Sequence, residues 1–197
     1  MKKINLKSVF AIVFAIGISS LNYAQQNHDH SKMNMKTDSG KMMKMKHDKS
    51  SMNMMQQKGA EAQFNDANLN KAYMHYIMIN TALTKLNTQK VKMMSKMLVN
   101  ILNNYGKATK SVAIANKLSE STDLKGQRKL FAELTTSMEP LFKDNITKGK
   151  VYKNFCPMAN GAGAYWFSNS KNIVNPYMGT KSSMSNCGSV KETFKSI

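Results

Sequence analysis

Residues 88–106, TQKVKMMSKMLVNILNNYG, carry the pattern that decides the fold. Apolar side chains recur every three or four positions along this stretch, at Val91, Met94, Leu98, Ile101, Leu102 and Tyr105. This spacing places them on one face of an α-helix. Thr88 is positioned to cap the start of the helix, and Gly106 is positioned to end it.

The same apolar period occurs on both sides of this helix. It predicts a preceding helix over about residues 65–86, a third over residues 108–121 and a fourth over residues 124–144. Pro140 is expected to kink the fourth helix or to end its regular part. Four amphipathic helices joined by short loops predict a mainly α protein, an antiparallel helical bundle.

Beyond residue 149 the pattern changes from helical to weakly β. Residues 151–155, VYKNF, alternate weakly, and residues 164–168, AYWFS, form a second β-prone run bounded by glycine and asparagine. Residues 175–179, NPYMG, are typical of a turn. The sequence therefore predicts a small irregular β or loop element at the C-terminal end of the bundle.

The first 24 residues have the pattern of a signal peptide. Lys2, Lys3 and Lys7 precede an apolar run over residues 8–21, which is too short for a comfortable membrane span. Ala24 is a plausible cleavage position, which would make Gln25 the new N-terminus. We therefore expect an exported, periplasmic or otherwise extracytoplasmic protein without a transmembrane segment in its mature form.

Residues 25–60 are rich in methionine, histidine and lysine and are expected to be disordered. Their composition lacks the aromatic and β-branched aliphatic residues needed to bury a core. Thioether and imidazole groups are ligands suited to a soft cation, and thioethers need no deprotonation to bind one. An oxidant sink or an adaptable contact surface is the competing interpretation. The candidate ligands in this tail are His28, His30, Met33, Met35, Met42, Met43, Met45, His47, Met52, Met54 and Met55.

The formal net charge of +18 is high for a chain of 197 residues. Such a charge suits nucleic acid or an anionic membrane surface, but an exported protein rarely meets nucleic acid, and the lysines are scattered rather than interleaved with aromatic residues. We interpret the charge mainly as a solvated lysine-rich surface, with an anionic partner or envelope surface as the alternative. We expect no nucleic-acid partner.

Both cysteines lie near the C-terminus, each close to a methionine and to residues that favour turns. Soft sulfur ligands of this kind suit Cu(I) better than Mg²⁺ or Ca²⁺. The candidate metal ligands in this region are Cys156, Met158, Met184 and Cys187. His75, on the first predicted helix with Met78 three positions later, is a weaker candidate.

These C-terminal motifs resemble a family of exported bacterial proteins, domain of unknown function 3347. The resemblance rests on FCPMA, AYWFS, NPYMG and a Met-x-x-Cys-Gly sequence, which occur here in that order between residues 155 and 188. A similar segment ends some periplasmic adaptor subunits of heavy-metal efflux pumps. The resemblance thus implies metal handling and an efflux or resistance protein as the partner.

Three roles remain open for the two cysteines. They form a structural disulfide that closes a loop of about 30 residues, or they hold Cu(I) together with Met158 and Met184, or one of them is a nucleophile. The third role needs an activating base, and nothing in the sequence places His75 nearby. We therefore expect a non-enzymatic protein that binds Cu(I) or Ag(I). The alternative is a disulfide-stapled helical module that docks on an envelope or efflux partner without binding metal.

Overall fold

The computed structural model describes residues 62–196. The predicted signal peptide, residues 1–24, and the predicted tail, residues 25–60, lie outside the described residues. The eleven candidate ligands of the tail, from His28 to Met55, lie outside them as well.

Four α-helices follow one another along the first part of the described chain. They are α1 (Ala67–Thr84), α2 (Thr88–Tyr105), α3 (Thr109–Glu120) and α4 (Leu124–Lys143). All four predicted helices are confirmed, and their ends lie within two residues of the expected positions. Within residues 62–196, no helix is both long enough and apolar enough to cross a lipid bilayer.

Short polar side chains begin three of the helices. Asp66 caps α1 by accepting hydrogen bonds from the backbone N–H groups of Asn68 and Leu69, and Asp123 caps α4 in the same way. The predicted cap of α2 was wrong by one position, because Asn87 accepts the capping bond and Thr88 is the first helical residue. At the other end of α2, Gly106 takes the left-handed conformation with φ 76°.

The helices form a bundle around one aromatic and aliphatic core. Sequential helices pack on one another, and α4 returns to contact α1. Tyr76 stacks on Phe131 with ring centroids 4.9 Å apart, and Phe142 meets Tyr73 edge to face at 5.0 Å. The mainly α bundle predicted from the apolar period is therefore confirmed.

Pro140 does not end α4. The helix continues to Lys143, and the N–H of Asp144 bonds to the carbonyl of Pro140 at 3.1 Å. The last turn is held by Phe142, which is fully buried against Phe64 and Tyr73. This packing outweighs the loss of one N–H donor near a helix end, where an intrahelical bond is least costly to lose.

Five strands accompany the bundle within residues 62–196. β1 (Gln63–Phe64) pairs antiparallel with β2 (Ile146–Lys148), while β3 (Lys150–Cys156), β4 (Ala164–Ser168) and β5 (Ser189–Lys195) form an antiparallel sheet in the order β4-β3-β5. The two predicted strands correspond to β3 and β4, and the turn predicted at residues 175–179 is present at residues 176–178. The small C-terminal β element is confirmed, but it is more regular than expected because β5 completes a sheet.

Side chains of α1 attach the sheet to the bundle. The N–H of Phe167 in β4 donates to the hydroxyl of Tyr76, and the amide of Asn80 donates to the carbonyl of Phe167. These bonds satisfy the strand edge that does not face β3, so β4 has no open edge at this residue. Trp166, the only tryptophan of the chain, is fully buried beside the bundle. The position of the sheet relative to α1 is thereby fixed.

Candidate functional site

The two cysteines lie side by side where β3 ends and β5 begins. Phe155 pairs with Ser189 in the antiparallel ladder, so the residue after Phe155 and the residues before Ser189 meet at the same end of the sheet. Cys156 and Cys187 are free thiols, and Cys156 lies close enough to raise the pKa of the Cys187 thiol. Strand register therefore brings together two sulfur atoms that are far apart in sequence.

The two thiols differ in their exposure to solvent. Cys156 is completely buried, whereas Cys187 is half-buried at the rim of the sheet. A ligand or a reagent would therefore reach the pair from the side of Cys187. This arrangement suits a site that exchanges its occupant through one accessible sulfur atom.

The electrostatic environment favours the protonated form of Cys187. The hydrogen bond with the Cys156 thiol raises the pKa of Cys187 most, followed by loss of solvent and by the proximity of the Cys156 charge, while the backbone N–H of Met158 lowers it. Activated cysteine nucleophiles have a lowered pKa. A raised pKa is the opposite of what a nucleophilic cysteine needs, because it keeps the thiol protonated.

Both candidate methionines of the C-terminal region lie within one turn of the thiol pair. The carbonyl of Met184 accepts the N–H of Cys187 at 2.9 Å, and the backbone of Met158 is near enough to lower the pKa of Cys187. Their side chains are exposed, at 58% for Met158 and 37% for Met184. The methionine side chains are flexible, and rotation about their single bonds changes the positions of their sulfur atoms. All four C-terminal candidates thus gather at one end of the sheet.

Asn175 positions the segment that carries Cys187, and the sequence analysis did not identify this role. Its side-chain amide donates to the carbonyl of Cys187 at 2.8 Å, and its backbone N–H donates to the carbonyl of Ser185 at 2.9 Å. Its side-chain oxygen accepts the N–H of Tyr177. Asn175 is fully buried. The Asn-Pro pair signalled a turn in the sequence, but only the fold shows that this turn holds a cysteine.

Gly188 allows the chain to pass close to β3 immediately after Cys187. Its φ is 129°, and a β-carbon at this position would lie 2.8 Å from the Trp166 ring and 2.9 Å from the carbonyl oxygen of Phe155. Real β-carbons do not approach backbone oxygen atoms so closely. The glycine is therefore required for the two cysteines to meet.

We call Cys156, Met158, Met184 and Cys187 the sulfur cluster. His75, the weaker candidate, is part of the bundle and not of this cluster. Its side chain is buried, and Nδ1 lies 2.9 Å from the carbonyl of Lys71, one turn earlier on α1. A carbonyl can only accept, so Nδ1 carries the proton and donates. Across residues 62–196, no group of three or more His, Cys, Asp and Glu side chains is arranged to hold a metal ion.

A groove of about 640 Å³ lies elsewhere on the domain, between α1 and the segment that follows β4. Side chains with amide or hydroxyl groups contribute to its lining, including those of Asn80, Thr84, Ser168, Asn169 and Thr180. Neither cysteine contributes to the lining. The groove and the sulfur cluster are thus separate features of the surface.

Comparison with known proteins identifies the helical region. A family model described as "Protein of unknown function (DUF3347)" matches residues 72–149, from α1 to the residue before β3. No curated protein and no solved structure matches the chain. The match ends before Cys156, so the C-terminal motifs on which the resemblance rested lie outside it. The helical region of the chain thus matches the DUF3347 family of proteins of unknown function, the family that its C-terminal motifs resemble.

Proposed function

We propose that this protein is an exported, non-catalytic binder of Cu(I) or Ag(I). The observation that carries the proposal is the strand register that places Cys156 and Cys187 at one end of the sheet, with Met158 and Met184 within three residues of them. Thiolate and thioether sulfur are the ligands that soft monovalent copper prefers. Two thiolates and one or two thioethers would give a low-coordinate, all-sulfur site.

The ligand types favour a soft monovalent ion over zinc. Structural zinc sites are typically closed by four cysteine or histidine ligands. Here the sulfur cluster offers two cysteines, and its remaining donors are neutral thioethers. A thioether contributes little to a zinc site, but it binds Cu(I) and Ag(I) well.

The tail supplies the second part of the proposal. Its methionines and histidines, from His28 to Met55, would capture the ion and pass it to the cysteine pair through the exposed Met158. Ligand exchange between sulfur donors fits transfer to an efflux or resistance protein, the partner class that the family resemblance implies. The raised pKa of Cys187 argues against a nucleophilic role for this thiol.

An anaerobic Cu(I) titration against a competing chromophoric chelator tests this proposal. The chain from Gln25, the chain from Glu61 and a Cys156→Ser/Cys187→Ser variant would be titrated in parallel. We expect the chain from Glu61 to retain one tight site and the double cysteine variant to lose it. Absence of competition in every version would refute the proposal.

The exposed methionines allow a matched control. Met158→Leu/Met184→Leu should weaken binding, whereas Met93→Leu/Met97→Leu on α2 should not, although all four side chains are exposed. If both double variants weakened Cu(I) binding equally, the position of Met158 and Met184 beside the thiols would not matter for binding.

A disulfide-stapled docking module is the second candidate, and the same thiol contact favours it. Exchange with an oxidised dithiol would convert the two thiols into a disulfide and reduce that partner. The bond would close a loop of about 30 residues and contribute roughly 3–4 kcal/mol in the chain-entropy model. Titration of free thiols in the protein purified from its export compartment separates the candidates, because two reactive thiols support the metal site and none supports the staple.

A further inference from the structure

The lysines and the acidic residues of the domain are segregated along the chain. Residues 67–119 contain eight lysines and no aspartate or glutamate. Ion pairs join Lys143 to Glu192 and Lys153 to both Glu139 and Glu192, on α4 and the sheet. Helices α1 and α2 are therefore basic, without acidic side chains of their own.

The solvent side of α2 places two exposed methionines within this basic region. We name it the α2 outer face and define it by Lys90, Met93, Lys96, Met97 and Asn100, all of which are exposed. Met93 is 55% exposed and Met97 is 46% exposed, although methionine is usually buried. The buried side of the same helix is formed by other residues, Val91, Met94, Ser95, Leu98, Val99 and Leu102.

The helical period arranges this face as an apolar centre with charged flanks. At 3.6 residues per turn, Met93 and Met97 differ by about 40° around the helix axis. Lys90 and Lys96 fall on opposite sides of them. The main contacts of α2 are with α1 and α3, while the sheet packs chiefly on α4, so the sheet leaves this face uncovered.

We propose that the α2 outer face binds the surface of an anionic lipid bilayer. Its ammonium groups would pair with the headgroup phosphates, and its two flexible thioethers would enter the boundary between headgroups and acyl chains. This binding surface is independent of the proposed copper site, since neither cysteine belongs to it.

The residue types favour a lipid surface over a protein or a nucleic acid. Protein interfaces are enriched in arginine, tyrosine and tryptophan and depleted of lysine, and α2 has no arginine or tryptophan. Single-stranded nucleic acids bind to aromatic side chains on which bases stack, and no aromatic residue lies on this face. Lysine, a compact and strongly hydrated charge, suits the diffuse negative charge of a bilayer.

A vesicle-binding assay tests the proposal on the chain from Gln25 onward. Sedimentation with vesicles containing phosphatidylglycerol would be compared with sedimentation with pure phosphatidylcholine vesicles at several salt concentrations. We expect binding only to the anionic vesicles, and we expect it to weaken as salt rises. Lys90→Glu/Lys96→Glu should weaken it at least about 25-fold, given the usual contribution of a lysine near a charged membrane.

A charge-matched variant provides the control. Lys125→Glu/Lys129→Glu alters exposed lysines of α4 and changes the net charge equally, so it should weaken binding no more than about threefold. Met93→Ser/Met97→Ser should weaken it by about tenfold with the lysines intact. Circular dichroism and the unaltered Cu(I) affinity of the variants would confirm that they fold.

Two results would overturn the proposal. One is the absence of any preference for phosphatidylglycerol vesicles. The other is an equal loss of binding in the two lysine variants, which would assign the attraction to total charge or to the basic tail and not to the α2 outer face.

Discussion

Replacing Gly188 by alanine should destabilise the domain and separate the two cysteines. The new β-carbon would lie 2.8 Å from Trp166 and 2.9 Å from the carbonyl oxygen of Phe155. Strain at a positive φ costs about 1–3 kcal/mol, and overpacking of a tight site costs about 1–3 kcal/mol more. We therefore expect the free energy of unfolding to fall by about 2–6 kcal/mol.

Gly161→Ala is the matched control for this prediction. Gly161 also has a positive φ, 78°, but a β-carbon there would meet no atom within 4 Å. Only the backbone strain remains, so this change should cost about 1–2 kcal/mol. The difference between the two variants isolates the close approach of the chain to β3.

Urea unfolding followed by tryptophan fluorescence measures both variants, because the single tryptophan, Trp166, is fully buried. Alkylation of Cys187 under native conditions gives a second reading, which should become faster in Gly188→Ala as the thiol pair separates. Equal destabilisation by the two alanines would refute the reasoning, and so would an unchanged alkylation rate.

Three further predictions concern the bundle and its attachment to the sheet. Asn80→Ala should lower the free energy of unfolding by about 1–3 kcal/mol, since it removes the donor to the buried carbonyl of Phe167, and thermal unfolding would measure the loss. Burial raises the pKa of both Tyr76 and Tyr177 above the ordinary 10.0. The unfolded chain then releases protons that the folded chain retains, so stability should decrease as the pH rises above 10.0, by about 1.4 kcal/mol per pH unit for each tyrosine. Ultraviolet absorbance should show at least two tyrosinates that form only on unfolding; their formation in the folded state would contradict this. Asp123→Ala should cost about 1 kcal/mol through loss of the α4 cap, and Asp123→Asn, which can still accept the capping bond, should restore most of it.

The helices could be predicted from sequence because their burial is periodic. Val91, Leu98 and Leu102 are fully buried on one side of α2, as their spacing indicated. The N-cap of α2 could not be predicted to the residue, because Asn87 and Thr88 are adjacent and both residue types can cap a helix. In the structure Asn87 is the N-cap.

The strand β5 could not be predicted because most of its side chains are not buried. Only Phe194 is buried in Ser189–Lys195, so the segment lacks the alternation of apolar residues that marks a half-buried strand. It is an edge strand, and its place depends on pairing with β3. The β-propensity of residues and their apolar pattern give little information about which strands of a protein pair.

The candidate site could be predicted by residue type but not by geometry. Cysteine beside methionine indicated soft-metal chemistry, yet nothing in the sequence brought Cys156 to Cys187. Their contact follows from the register of β3 with β5, from Gly188 and from the hydrogen bonds of Asn175. Contacts of this kind depend on tertiary structure, which a single sequence does not reveal.

X-ray absorption at the copper edge tests the central claim most directly. The sample would be the chain from Glu61, loaded anaerobically with one equivalent of Cu(I), so that the tail cannot supply ligands. The account predicts a first coordination shell of sulfur alone, which disappears in Cys156→Ser/Cys187→Ser. A shell dominated by nitrogen or oxygen, or one unchanged in the cysteine variant, would contradict it.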